Sequence, residues 1–255
     1  MSLFGNMKSD GLEETEDRLG GFSSLETDIY TGVIKQMYAG QSAAGARSIT
    51  ILFDHDGKEY RETVYITNKN GENFFLNKDK DGKPTGKKVP LPGFTIIDEI
   101  CLVTNGKPLC DQAHEEKMVK VYDPDAKKEL PKSVPVLIDL LGQTVSLAIV
   151  KVLENKSVKD GNGAYQPTAD ERESNVIEKV FHTETKMTVP EARQGAEAPT
   201  FYNAWLERNK GKTRDKRSIK DGQGGNTGRT GKLQGGPPQA AGQQATARKS
   251  LFGGK

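Results

Sequence analysis

From Thr27 to Tyr38 apolar residues alternate along the chain, Ile29, Val33 and Met37 on one parity and Tyr30, Ile34 and Tyr38 on the other. A period of two marks a β-strand, here with both faces at least partly occupied. A small-residue loop, Ala39 to Ala46, leads to a second strand from Ser48 to Phe53, with Ile49, Ile51 and Phe53 on one face. Asp54-His55-Asp56-Gly57 then predicts a hairpin turn, because Asp-Gly tolerates positive φ at little cost. Glu59 to Thr67 returns as the partner strand. Tyr60, Val64 and Ile66 share one parity, and Arg61, Thr63, Tyr65 and Thr67 the other.

Beyond the hairpin the pattern weakens. Asn68 to Lys88 reads as a long polar excursion that contains Phe74-Phe75, with Gly82, Pro84 and Gly86 opposing regular structure. Phe94 to Thr104 predicts a short helix, because Ile96, Ile97, Ile100 and Cys101 fall on one stripe before an Asn105-Gly106 stop. Lys107 to Ser133 shows no assignable period, and Val134 to Gly142 fits a helical turn. Thr144 to Leu153 is apolar on both parities, as a central strand would be. Glu154 to Glu173 reads as a polar loop and Asn175 to Phe181 as a closing strand. Thr188 and Glu191 around Pro190 form a capping-box pattern, and Phe201, Tyr202, Trp205 and Leu206 would be the buried face of a last helix. Five or six strands with one helix among them and helices at the end predict a mainly β chain. A small Greek-key barrel fits this order better than a βαβ repeat.

Charge changes the picture at the C-terminal end. Residues 209–255 hold eleven Lys/Arg against Asp215 and Asp221, a net +9. The whole chain has 37 basic and 35 acidic residues, so residues 1–208 carry −7. A Gly/Gln-rich basic segment of this kind buries too little apolar surface to fold, so a disordered tail is expected, open to a polyanion or a partner protein. The expected organisation is a flexible arm over 1–25, a barrel over 26–186, appended helices over 187–208 and the tail over 209–255. No apolar run approaches a membrane span, and Met1 to Asn6 lacks a secretory pattern, so a cytoplasmic location is expected.

Catalysis finds little support, and neither an enzyme activity nor a cofactor is expected. His55, His114 and His182 lie in no recognised nucleophile or metal motif. Cys101, Cys110 and His114 lack the paired close spacing of zinc sites, so ordinary thiols and no metal are expected. Gly40 to Arg47 ends without the Lys-Ser/Thr of a phosphate-binding loop.

Nucleic-acid binding is better supported. Arg61, Thr63, Tyr65, Thr67 and Lys69 interleave basic, hydroxyl and aromatic groups on one face, as stacking on bases with flanking phosphate contacts requires. An ordinary solvent face with one Tyr would read the same way. Tyr30, Lys35, Tyr38 and Arg47 would lie beside this face in a barrel, although Tyr30 and Tyr38 fit a core equally well. Phe74 and Phe75, with Lys78, Lys87 and Lys88 of the run Lys78 to Lys88, would sit on a loop able to close over a strand.

Several phrases resemble single-stranded DNA-binding proteins of bacteriophages, of the replication and recombination type. They are Tyr30-Thr-Gly-Val-Ile-Lys, Tyr38-Ala-Gly-Gln-Ser, Ser48-Ile-Thr-Ile, Gly57-Lys-Glu-Tyr-Arg-Glu-Thr-Val-Tyr-Ile-Thr-Asn and Leu91-Pro-Gly-Phe. Further ones are Ile100-Cys-Leu-Val-Thr-Asn-Gly-Lys, Val134-Pro-Val-Leu-Ile-Asp-Leu-Leu-Gly and Lys249-Ser-Leu-Phe-Gly. The resemblance covers roughly residues 27–206 and the final peptide. It implies an OB-like barrel that coats single strands, with Tyr30, Lys35, Arg47, Arg61, Tyr65, Lys69, Phe74 and Phe75 as contacts. It also implies a host-cell cytoplasm and partners such as a phage polymerase or helicase. Bacterial single-strand binders end in an acidic docking tail, whereas this chain ends basic, so partner docking would rest on Leu251 and Phe252 with Arg248, Lys249 and Lys255. Ser2-Leu-Phe-Gly recurs as Ser250-Leu-Phe-Gly, which fits either coincidence or one shared pocket on a partner or a second copy. Rival readings are an adaptor for host RNA polymerase and a single-stranded RNA-binding module.

Overall fold

The structure is a computed structural model that describes residues 24–123, 126, 128–161 and 165–219. Strands β1 (Asp28–Gln41), β2 (Arg47–His55) and β3 (Lys58–Tyr65) form an antiparallel meander. The predicted hairpin is present, with Asp56 (φ 49°) and Gly57 (φ 76°) both in the left-handed region that a two-residue turn of this twist demands. Next come β4 (Phe74–Lys78), β5 (Pro84–Pro90) and helix α1 (Pro92–Thr104). Strands β6 (His114–Asp123) and β7 (Lys128–Leu137) follow, then β8 (Thr144–Lys159) and β9 (Tyr165–Phe181). Helices α2 (Val189–Arg193) and α3 (Thr200–Asn209) precede a two-residue strand, β10 (Arg214–Asp215). The chain is mainly β, built on a large antiparallel sheet.

Strand β1 is shared along its length. Its first residues, Asp28 to Val33, pair with β8, while Val33 to Gln41 pair with β2 and Tyr38 meets Val136 of β7. Strand β9 pairs with β8, and the Glu62 carboxylate of β3 accepts a hydrogen bond from Ile177 N–H of β9 at 2.9 Å, tying the far ends of the order together. The main core gathers Ile34, Met37, Ile51 and Phe53 with Ile97 and Ile100 of α1 and Leu147 and Ile149 of β8. Ala148, Val150 and Val152 on the opposite face of β8 pack on Phe181 and Trp205, so both faces of β8 are covered as its sequence predicts. The capping box is intact: Thr188 Oγ1 accepts from Glu191 N–H and Glu191 accepts from Thr188 N–H.

Three segments depart from the sequence reading. The excursion around Lys78 to Lys88 is a hairpin, β4 with β5, in which glycines at positive φ take turns and bends that the strands tolerate. The unassigned stretch before Ser133 is the β6–β7 hairpin. The expected loop Glu154 to Glu173 is a continuation of β8 and β9 as a two-stranded ribbon, polar because most of its residues are exposed. Phe201 is exposed instead of buried, whereas Trp205 is buried and donates to Glu178 at 2.9 Å.

The expected tail boundary at 209 also shifts. Residues 210–219 lie along the sheet: β10 runs parallel to Val152-Leu153, and Gly211 N–H donates to Thr27 O. Asn155 accepts from the backbone N–H groups of Ser218 and Ile219 and donates to Ile219 O. Of the arm expected over 1–25, Ser24 and Leu25 are bonded to Glu173 and Asn175 of β9, while residues 1–23 and the remainder of the tail from 220 lie outside the described residues.

Candidate nucleic-acid interface

As predicted, Arg61, Thr63 and Tyr65 are exposed together on the outward face of β3, with Tyr65 53% exposed. The register sets Leu52, Thr50 and Ser48 of β2 opposite them, and the hydroxyls of Thr50 and Thr63 are 2.9 Å apart. Those three β2 residues are buried nonetheless. The β6–β7 hairpin lies to this side: Tyr38 packs against Val119, Val134 and Val136, and Glu129 near the hairpin tip reaches Arg61. Thr67 is not on the open face. It is buried, and its hydroxyl accepts from Arg47 N–H at 2.9 Å.

Between the start of β2 and this hairpin lies a groove of about 600 Å³. Arg47, Ser48 and Gly40 line one side and His114, Lys132 and Val134 the other, with Ile66, Leu109 and Leu137 adding apolar surface. No carboxylate lines it. Arg47 and Lys132 form no ion pair with any described residue. Ser48 is the register partner of Tyr65, which places that ring at the same end of the β2–β3 pair. Lys69 is exposed on the adjoining turn, its carbonyl 3.2 Å from where a Cβ on Gly45 would lie. Helix α1 fixes this end from behind. A Cβ on Gly93 would lie 2.2 Å from the Tyr65 carbonyl oxygen, so only glycine lets the helix sit this close.

A second, larger groove of about 1100 Å³ is lined by Tyr30, His55, Lys58, Tyr60, Arg61 and Lys151, but also by Glu26, Asp56, Glu59 and Glu173. Its cations are largely engaged. Lys151 is held by Glu26 and Glu173, each at 3.0 Å, and both raise its pKa. Arg61 is paired with Glu129 at 2.5 Å and Glu59 at 3.7 Å. Burial works against the Arg61 charge, yet these carboxylates more than offset it and the pKa is raised. The Tyr30 ring meets His55 edge-on at 4.8 Å and its hydroxyl donates to Glu26 O, while burial, then Asp28 and Glu26, push its pKa up. Lys35, exposed on β1, is bridged to Asp54 at 3.6 Å.

The hairpin β4–β5 carries the remaining candidates. Register places Phe75 opposite Val89 and Leu76 opposite Lys88, so Phe74 and Phe75 point to opposite faces and cannot act as one platform. Lys88 Nζ caps the Phe74 ring at 4.4 Å, whereas Phe75 is 47% exposed. Lys78 and Lys87 are exposed without an ion pair to a described residue.

The sequence-predicted contacts do not gather into a single site. Arg47, Tyr65 and Lys69 gather at one end, Tyr30 and Arg61 share the larger groove, Lys35 stands apart, and Phe74, Phe75, Lys78, Lys87 and Lys88 occupy a projecting hairpin. Arg61 and Tyr65 are four residues apart on β3, about 13 Å at strand spacing. The tail residues Arg248, Lys249, Leu251, Phe252 and Lys255 lie outside the described residues.

Sequence reasoning missed the second side of the smaller groove. His114 lies in no recognised motif, and nothing in the sequence singles out Lys132. The alternation Lys117, Val119, Val121 against Lys132, Val134, Val136 was the readable signal, obscured by Pro131 and Pro135. Two further exposed rings were also missed: Tyr122 on β6, and Tyr165 on β9 with Lys159 Nζ at 5.5 Å from its centroid. Cys101 lies in the core, where burial pushes its thiol up and disfavours the thiolate that a metal requires. Among the described residues no helix is long and apolar enough to cross a membrane. Compared with known proteins, the chain matches no family model and no curated sequence.

Proposed function

We propose that this protein binds single-stranded DNA without catalysing a reaction, and protects it during bacteriophage replication or recombination. The observation that carries the reading is the groove lined by Arg47, His114 and Lys132 with no carboxylate, in a body whose 1–208 sequence is net acidic, beside the exposed ring of Tyr65. Cations without an ion pair to a described residue are available to phosphates, and an exposed ring offers a base a stacking surface that does not depend on its identity. The strand order β3-β2-β1-β8-β9, with β1 shared and α1 between β3 and β8 in the chain, supports an OB-like barrel as the scaffold. The replication setting and a polymerase or helicase as partner rest on the resemblance of the sequence phrases.

The test is a fluorescence titration of the full chain with oligo-dT, a matched RNA oligomer and a duplex. Oligo-dT should bind best, with log affinity falling steeply against log salt. Tyr65→Ala should weaken oligo-dT binding about tenfold or more, within the range set by one stacking contact worth ~1–3 kcal/mol. An unchanged affinity removes Tyr65 from the site. Preference for the RNA oligomer would favour the RNA-binding reading instead.

A further inference from the structure

The carboxylate of Glu129 sits where a ligand would be expected. Arg61 lies on the same outward strand face as Thr63 and Tyr65, and Glu129 comes to it from 68 positions away, on an element that does not pair with β3. The Nη1–Oε1 distance is 2.5 Å, a charge-assisted contact of the kind that a guanidinium makes with either a carboxylate or a phosphate. We propose that Glu129 is an intramolecular competitor for Arg61, holding in the free protein the place that a backbone phosphate of single-stranded DNA takes in the complex. The inference rests on the single-strand-binding reading and assigns an affinity-setting role to a residue of the β6–β7 hairpin.

Two observations favour exchange over a fixed structural bridge. The side chains of Arg61 and Glu129 are 35% and 41% exposed, and pairs this open to water contribute little to stability, so an incoming phosphate displaces the carboxylate readily. The contrast along the face points the same way: Arg47 and Lys132 have no carboxylate partner among the described residues, whereas Arg61 has Glu129 and, more distantly, Glu59. Arg61 is thus engaged, whereas the two groove cations have no carboxylate among the described residues, and Tyr65 lies between, four residues or about 13 Å along β3 from Arg61.

The experiment measures oligo-dT affinity against salt for the full chain and four variants: Glu129→Gln, Arg61→Ala, the double variant, and Glu116→Gln. Glu116 is on the same hairpin but bonds Ser133 at 2.9 Å, so it reports the effect of removing any nearby negative charge. Glu129→Gln should tighten binding by about two- to fivefold, the reverse of what one exposed pair is worth, and steepen the salt dependence by about one phosphate contact. Arg61→Ala should change affinity little in the parent and clearly more in the Glu129→Gln background. Glu116→Gln should have a smaller effect than Glu129→Gln. Melting curves confirm that each variant is folded. Binding at equal affinity across the set, or equal tightening by both Glu→Gln changes, overturns the competitor role alone. Absence of single-strand binding in the parent overturns the functional reading itself.

Discussion

Phe74 and Phe75 are adjacent in sequence and opposed in space, and only one of them is free. Lys88 already covers the Phe74 ring, so a base would have to displace an ammonium to reach it, whereas Phe75 presents an uncovered ring. Phe75→Ala should therefore weaken oligo-dT binding several-fold with little change in melting temperature. Phe74→Ala should chiefly loosen the β4–β5 hairpin. Equal binding losses for the two, read in one titration series, would contradict this division. At the same scale Glu99 of α1 is a buried carboxylate with Lys179 at 3.7 Å and no hydrogen-bond partner for Oε2 among the described residues. Burial raises its pKa, and Lys179 and Arg193 only partly offset that. Because the folded chain holds this proton more tightly than the unfolded one, the associated stability is complete below the unfolded pKa and is lost as pH rises through the folded one. Gln cannot ionise, so the melting temperature of Glu99→Gln minus that of the parent should grow from about pH 4 to about pH 8. A difference that stays constant or shrinks with pH would show that Lys179 already satisfies the ionised form.

Elements were legible in the sequence where one side faced a core and illegible where both sides met water. The Asp-Gly hairpin, the stripe of α1, the double-sided β8 and the Thr188–Glu191 cap all follow from burial patterns or turn chemistry, which are local signals. The ribbon beyond Glu154 and the hairpin β4–β5 have exposed residues on both faces, so their composition is that of a loop although their backbones are paired. Proline misleads in β5 because it is tolerated where a strand has a free edge, here the edge away from β4, which composition does not reveal. For the candidate site, the sequence located the cations and rings but not their grouping, since that depends on where β6–β7 lies. Residues 210–219 were misassigned for a related reason: their attachment uses backbone pairing and ion pairs, Lys210 with Asp28 and Arg214 with Glu178, in place of apolar burial. Asn155, itself buried, is the clamp at the end of this strap. Asn155→Ala removes four hydrogen bonds worth about 0.5–1.5 kcal/mol each, and should speed tryptic cleavage at Arg217 well before the sheet melts. Unaltered cleavage there would mean that β10 and the Arg217 pairs with Asp215 and Glu171 suffice.

On the scale of the whole molecule, charge is divided between a body and a terminal segment, and the strap decides where the division falls. A cut after Ile219 leaves Lys210, Arg214 and Arg217 in their described contacts and removes six Lys/Arg against one Asp, a net +5, so the truncated chain carries −3 where the full chain carries +2. If the body is the binder, this truncated chain should still bind oligo-dT, because Arg47, Lys132 and Tyr65 are retained. Its salt dependence should be shallower by up to about 0.7 for each phosphate contact that residues 220–255 supplied. Long-range attraction weakens as well, so the association rate should fall more than the dissociation rate rises, an effect that vanishes at high salt. An adaptor whose DNA contact is incidental behaves differently: most affinity would leave with residues 220–255, and Tyr65→Ala would then change nothing in either length of chain. Combining the truncation with Tyr65→Ala thus separates the two readings. Independent losses from the ring and from the segment point to a groove assisted by a basic extension, and a loss confined to the segment points to the extension alone.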